Sequence, residues 1–180
     1  MRIAIVAAMQ QELAAVLASM PDEAKQVHAG RDFRVGHLHG REVVTVLSRI
    51  GKVAAATTAV ALIERFAVDG IVFTGVAGGL ARGVNVGDVV LADGFVQHDL
   101  DASPIFPRYE VPLYGTSTFA TDAALTERLA AAVWLALPAA RVHRGLVASG
   151  DRFVSSSAES LALQQALPDA LAVEMEGAAF

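Results

Sequence analysis

The stretch RIAIVAAMQQELAAVLASM, Arg2 to Met20, sets the fold. Ile3 to Ala8 is a short, unbroken apolar run rich in branched residues, the pattern of a strand covered on both faces. From Met9 onward the apolar positions move to Leu13, Val16, Leu17 and Met20, which is helical spacing. A buried strand that turns directly into a helix is the opening unit of an α/β domain, and it places Glu12 in the first helical turn.

The same alternation continues outward. Phe33 to Ile50 reads as two strand-like runs around His39-Gly40-Arg41, a hairpin that makes the sheet mixed rather than purely parallel. An Ala-rich helix follows from Lys52 to Phe66, with Gly51 before it. Gly70 to Thr74 is a buried strand that runs into Gly75-Val76-Ala77-Gly78-Gly79, and Asp88 to Val96 is another. Ala102 to Ser117 holds three of the six prolines and no period, so it is a long loop, a feature that is usually functional inside a compact domain. Asp122 to Leu137 is an amphipathic helix with Thr121 as its expected N-cap. Val142 to Ser149 returns to strand, Ser156-Ser157-Ala158-Glu159 is a capping box that opens a helix to about Leu167, and Leu171 to Glu174 is the last strand. With no internal repeat or linker, the expectation is one domain over residues 1–180, a three-layer α/β/α arrangement with a mixed central sheet.

Composition narrows the function. The chain is 54% hydrophobic and 18% charged, which implies a large interior or a subunit interface, hence a homo-oligomer. A net charge of −5 with 14 scattered basic residues sets aside nucleic acid and anionic membranes as partners. No cysteine is present, which excludes disulfides, thiol catalysis and thiolate metal sites and fits a reducing compartment. The opening apolar run is too short for a secretory signal and nothing approaches the roughly 18 apolar residues of a membrane span, so a soluble, cytoplasmic protein is expected.

The residues able to do chemistry share one location, the C-terminal ends of strands, where open α/β sheets place ligands. Glu12 follows the first strand, Gly75 to Gly79 a middle one, Gly150-Asp151-Arg152-Phe153 a later one and Glu174-Met175-Glu176 the last. Each also has a plain structural reading. The glycines suit any sharp turn, Glu12 and Glu176 suit helix N-termini, and Phe153 suits a core. Glu174 is harder to explain structurally, because a charge ending an apolar strand is costly unless paired. Neither GxGxxG nor GxxxxGK[ST] occurs, so no dinucleotide or nucleoside triphosphate is indicated, and no GxSxG elbow anchors a serine triad. His98, Asp99 and Asp101 lack the further ligands that a metal site needs, and His37 and His39 alternate on a strand and read as solvent-facing.

Taken together, MRIAIVAAMQQEL at 1–13, SRIGKVAAA at 48–56, FTGVAGGL at 73–80, VGDVVLAD at 86–93, HDLDA at 98–102, GLVASGDRFV at 145–154 and AVEMEGAA at 172–179 resemble the bacterial methylthioadenosine/S-adenosylhomocysteine nucleosidases of the nucleoside phosphorylase superfamily. The resemblance spans essentially the whole sequence and implies hydrolysis of the bond between adenine and a 5′-thioribose, without metal or organic cofactor. It implies Glu12 as the carboxylate that activates water, Glu176 as the acceptor of ribose hydroxyls, and Met175 packed against the sugar. Phe153 would stack on adenine and the Val154 backbone would read its edge. Met9, Ile50, Ala77 and Gly78 would line the ribose and base pocket. In a homodimer, Ile105 and Phe106 would cover the neighbour's alkylthio group.

Two departures stand out. Val76 occupies a position where many members of the family have a serine that helps hold water. The family pattern also continues past AVEMEGAAF to a Ser-Asp pair whose aspartate protonates the purine at N7. The general acid is therefore expected to be absent from these residues, which read as a shortened version of a longer enzyme. Two alternatives remain at this point. One is a phosphorylase, disfavoured because Phe73 and Val76 stand where phosphate-binding Arg and Ser occur in the relatives, although Arg49 offers a charge. The other is an inactive nucleoside-binding or dimerising protein.

Overall fold

The computed structural model describes residues 1–180. The elements along the chain are β1 (Ile3–Ala7), α1 (Gln10–Ala18), β2 (Ala24–His28), β3 (Arg31–Leu38), β4 (Arg41–Leu47), α2 (Lys52–Phe66), β5 (Gly70–Phe73), β6 (Gly78–Gly79), β7 (Val89–Gln97), β8 (Thr118–Ala120), α3 (Ala123–Ala136), β9 (Val142–Ser149), α4 (Ser157–Ala166) and β10 (Ala170–Glu174). They form two compact units, the first comprising Met1–Val76 with Ala179–Phe180 and the second Ala77–Ala178. Strand direction is mixed in both, and the strands pair in two five-stranded sheets.

In the first unit the order is β2-β3-β4-β1-β5. β1 lies parallel to both β4 and β5, so its apolar run has a strand on either side. Val43, Val44, Thr45 and Val46 are consecutive and all buried, as expected when both faces are covered. α2 supplies part of that cover. Ala55, Thr58, Ala59, Leu62 and Phe66 recur at helical spacing on its buried side, and Phe66 stacks on Phe33 with centroids 4.4 Å apart. Burying a side chain such as Leu62 contributes about 1.5–3 kcal/mol. The β3–β4 hairpin turns at His39 and Gly40 with φ of 49° and 74°, the two positive values that a tight two-residue turn requires. His37 and His39 are both exposed, but His39 lies in this turn rather than on a strand, and the His37 ring contacts Asp22 Oδ2 at 2.7 Å. Phe180 stacks on Phe73, with centroids 5.2 Å apart, against the core of this unit.

In the second unit the order is β6-β10-β9-β7-β8, with β10, β9 and β7 parallel and an antiparallel strand at each edge. Leu80, Val96, Ala148, Ala170 and Val173 form its core. Registers matter more than layers here, because Gln97 pairs with Ser149 and Ser149 with Glu174. Three parallel strands therefore end level with one another. The Pro-rich segment carries a single isolated bridge, Val111 to Thr116, between β7 and β8.

Further expectations need correction. β2, β6 and β8 were not anticipated, since every residue of β2 is exposed and β6 and β8 are two and three residues long. The N-cap of α3 is Asp122, whose Oδ1 accepts from the Leu125 N–H at 2.7 Å, and not Thr121. Both residue types cap well, and the Thr121 hydroxyl is engaged elsewhere, donating to the Ala92 carbonyl at 3.0 Å. No helix is long and apolar enough to cross a membrane.

Candidate active site

In the first unit the candidate residues gather around one carboxylate. β1 ends at Ala7 and α1 begins at Gln10, so the turn between them leaves backbone N–H groups without helical partners. Glu12, in the first turn, takes two of them: Ala8 N–H donates to Oε2 at 3.1 Å and Met9 N–H to the same atom at 2.8 Å. The other oxygen reaches the segment after β5, where Val76 N–H donates to Oε1 at 3.0 Å. A Cβ built on Gly75 would stand 3.0 Å from that same oxygen, so the glycine is what lets the two segments approach. Val76 presents its N–H to Glu12 while its side chain is 73% exposed. Met9 is half-buried beside Glu12, and Ile50 is exposed just before α2.

In the second unit a separate group of candidates gathers around another carboxylate, at the end of β10. Glu174 Oε2 accepts from the Glu176 and Gly177 N–H groups, each at 2.8 Å, and Oε1 accepts from the Ser149 hydroxyl. The turn carrying Met175 and Glu176 is thus pinned from within, and Glu176 is only 5% exposed. Gly177 has no room for a side chain, since a Cβ there would fall 2.2 Å from the Phe95 ring. The neighbouring segment is fixed in similar fashion. Asp151 N–H donates to Asp99 Oδ2 at 2.7 Å, and a Cβ on Gly150 would meet His98 Nε2 at 2.2 Å. From this base Phe153 extends into solvent, 73% exposed, while Val154 packs on the core and borders two cavities of about 430 and 220 Å³.

The remaining candidates lie apart from that turn or along its edge. Ala77 and Gly78 are exposed, and Gly78 pairs with Val173 where β6 meets β10. Ile105 is 82% exposed and Phe106 half-buried in the Pro-rich segment. The acids of the HDLDA block serve backbone and hydroxyl groups. Asp99 holds Asp151, and the Ser103 hydroxyl and N–H both donate to Asp101 Oδ1, which holds the Asp101 carboxyl below its ordinary range.

Comparison with known proteins gives the family. The phosphorylase superfamily model matches residues 2–180. The nucleosidase from Shewanella loihica is 35% identical over 179 residues, covering 99% of this chain and 77% of the relative. That from Maridesulfovibrio salexigens is 36% identical over 181 residues, again with 99% and 77% coverage.

The chain belongs to the 5′-methylthioadenosine/S-adenosylhomocysteine nucleosidase family.

Solved structures of the family superpose closely. The Neisseria meningitidis nucleosidase in complex with methylthio-immucillin-A matches with a TM-score of 0.93 and 36% identity, covering 99% of this chain and 77% of that one. The Colwellia psychrerythraea nucleosidase in complex with adenine gives 0.94 and 34%, covering 99% and 74%. The fold is thus the nucleoside phosphorylase-like α/β fold that the sequence blocks implied. What the sequence reading left out was Ser149, quoted in a family block but given no role. Its signal was available, for a serine that closes the apolar run Leu146-Val147-Ala148 must find a polar partner if buried.

Proposed function

We propose that this chain hydrolyses the N-glycosidic bond of 5′-methylthioadenosine and S-adenosylhomocysteine and releases adenine. The observation that carries this reading is the match over 99% of the chain to nucleosidases solved with a methylthio-immucillin or with adenine. In the reaction, water adds to the anomeric carbon as the C–N bond breaks. The bonding pair leaves with the purine, which takes up a proton from solvent, and the proton lost by the attacking water passes to the base, so the step balances. Charge builds on the ribose in an oxocarbenium-like state, so a base beside the water and acceptors on the hydroxyls lower the barrier.

Glu12 is the base in this reading. Backbone N–H groups fill three of the roughly four acceptor positions of a carboxylate, and the remaining one on Oε1 is open to a water proton. Glu176 accepts from the ribose hydroxyls, Met175 packs on the sugar, Phe153 stacks on adenine and the Val154 backbone reads its edge. Met9, Ile50, Ala77 and Gly78 line the ribose and base. Ile105 and Phe106, apolar and in the Pro-rich segment, suit a thioalkyl group better than a 5′-phosphate, and we assign them to the neighbouring subunit's site in a homodimer. The cysteine-free composition and the family likeness favour a cytoplasmic enzyme.

Hydrolysis is preferred over phosphorolysis on the residues near Glu12. Phe73 is stacked on Phe180 and Val76 is apolar, so neither binds an anion. Arg49 donates to the Gly30 carbonyl at 2.7 Å, which ties it to a turn. Adenine release from 5′-methylthioadenosine measured with and without phosphate tests the proposal. Equal rates are expected, and strict dependence on phosphate would refute it.

A further inference from the structure

We propose that Ser149 is a positioning residue for the ribose-holding turn, acting through Glu174; the inference rests on the reading of Glu176 given above. Ser149 ends β9 level with Glu174 at the end of β10, and it is fully buried. A hydroxyl with no access to water needs protein partners. This one donates to Glu174 Oε1 and accepts from the Ala178 N–H at 2.8 Å. Glu174 Oε2 meanwhile accepts from the N–H groups of Glu176 and Gly177.

Two side chains thereby take three consecutive backbone N–H groups, those of residues 176, 177 and 178. These belong to the start of a short helical turn and have no partner within it. The division of labour is specific. Glu174 supplies the acceptors for the residue that meets the ribose, and Ser149 sets the rotation of that carboxylate so that Oε2 faces the turn. Without the hydroxyl the carboxylate loses its contact on Oε1 and is held through Oε2 alone, and the Ala178 N–H loses its acceptor in a buried place. Glu176 would still be present, but its direction would no longer be held.

The test compares wild type with Ser149→Ala and Glu174→Gln by two measurements. Native-state amide exchange reports the turn itself. In Ser149→Ala, protection at 176–178 should fall by about tenfold or more, the scale of one lost buried hydrogen bond, while the amides of β9 and β10 keep theirs. Steady-state kinetics report the role. Relative to wild type on the same substrate, kcat/KM should fall about tenfold or more on 5′-methylthioadenosine and under about threefold on its 2′,3′-dideoxy counterpart, which has no hydroxyls to position. Glu174→Gln should show the same selectivity, and the double variant should lose less than the two single losses combined, since both act on one clamp. If Ser149→Ala does not fold, Glu174→Gln carries both measurements. Unchanged protection at 176–178, or equal losses on the two substrates, overturns the proposal. A wild type that exchanges as expected but releases no adenine instead overturns the functional reading and leaves the clamp standing.

Discussion

At the scale of single residues, the carboxylates of this protein are sorted by what surrounds them. Glu12 spends most of its acceptor capacity on backbone N–H groups, so it is oriented before any substrate arrives. Glu12→Gln replaces one acceptor oxygen with a donor and removes the proposed base; kcat on 5′-methylthioadenosine should fall by about 10²- to 10⁴-fold with circular dichroism unchanged. Gly75→Ala approaches the same residue from outside. Its Cβ, 3.0 Å from Oε1, displaces the carboxylate, so kcat should fall while KM moves little, and a variant with wild-type kcat would argue against Glu12 as the base. Asp88 illustrates the other kind of acid. The Asn85 N–H and the His143 ring hold its carboxyl below the ordinary range. A depressed folded-state pKa contributes stability that is present above about pH 4 and lost as the pH falls through the folded value. Urea midpoints at pH 7, 5 and 3 should therefore drop more steeply for wild type than for Asp88→Asn.

At the scale of elements, α2 ends in a conformation its sequence does not favour. Ala67 sits in the left-handed region with φ of 49°, a position usually given to glycine. Ala67→Gly should raise stability by about 0.5–1 kcal/mol, read as a higher urea midpoint with an unchanged m-value. The elements themselves were legible to different degrees, for physical reasons. α2 and β9 were read to their observed boundaries, because Gly51 marks the start of α2, buried Phe66 its end, and the apolar run of β9 closes at Ser149-Gly150. β2 left no such mark, since an exposed edge strand has no buried face. The α3 cap was misplaced by one residue because Thr and Asp both cap, and only the contact to Ala92 tells them apart. Glu174 stood out because an unpaired charge at the end of an apolar strand is expensive; Ser149, half of the same clamp, drew no notice because a neutral hydroxyl at a strand end costs far less to bury than a charge.

At the scale of the whole molecule, the high apolar content is not all interior. Val53, Val60 and Ile63 lie 75%, 60% and 51% exposed, at spacings of seven and three residues that put them in one stripe along α2. If the homodimer proposed above covers this stripe, Val60→Glu should shift sedimentation toward the monomer with secondary structure intact, and a wild type that sediments as a monomer at micromolar concentration would count against a dimer. That Glu12 and Glu174 lie at or just past strand ends was legible from sequence, whereas the pairing of the strands in two sheets was not, because no local pattern records which strands pair. The division carries a consequence for biosynthesis. The first unit leaves off at Val76 and is rejoined only at Ala179 and Phe180. At about 5–20 residues per second, a ribosome makes Phe73 on the order of ten seconds before the ring that stacks on it. For that interval β5, the edge strand of its sheet, emerges without its aromatic cover, and the nascent chain is then most exposed to mispairing or to capture by a chaperone.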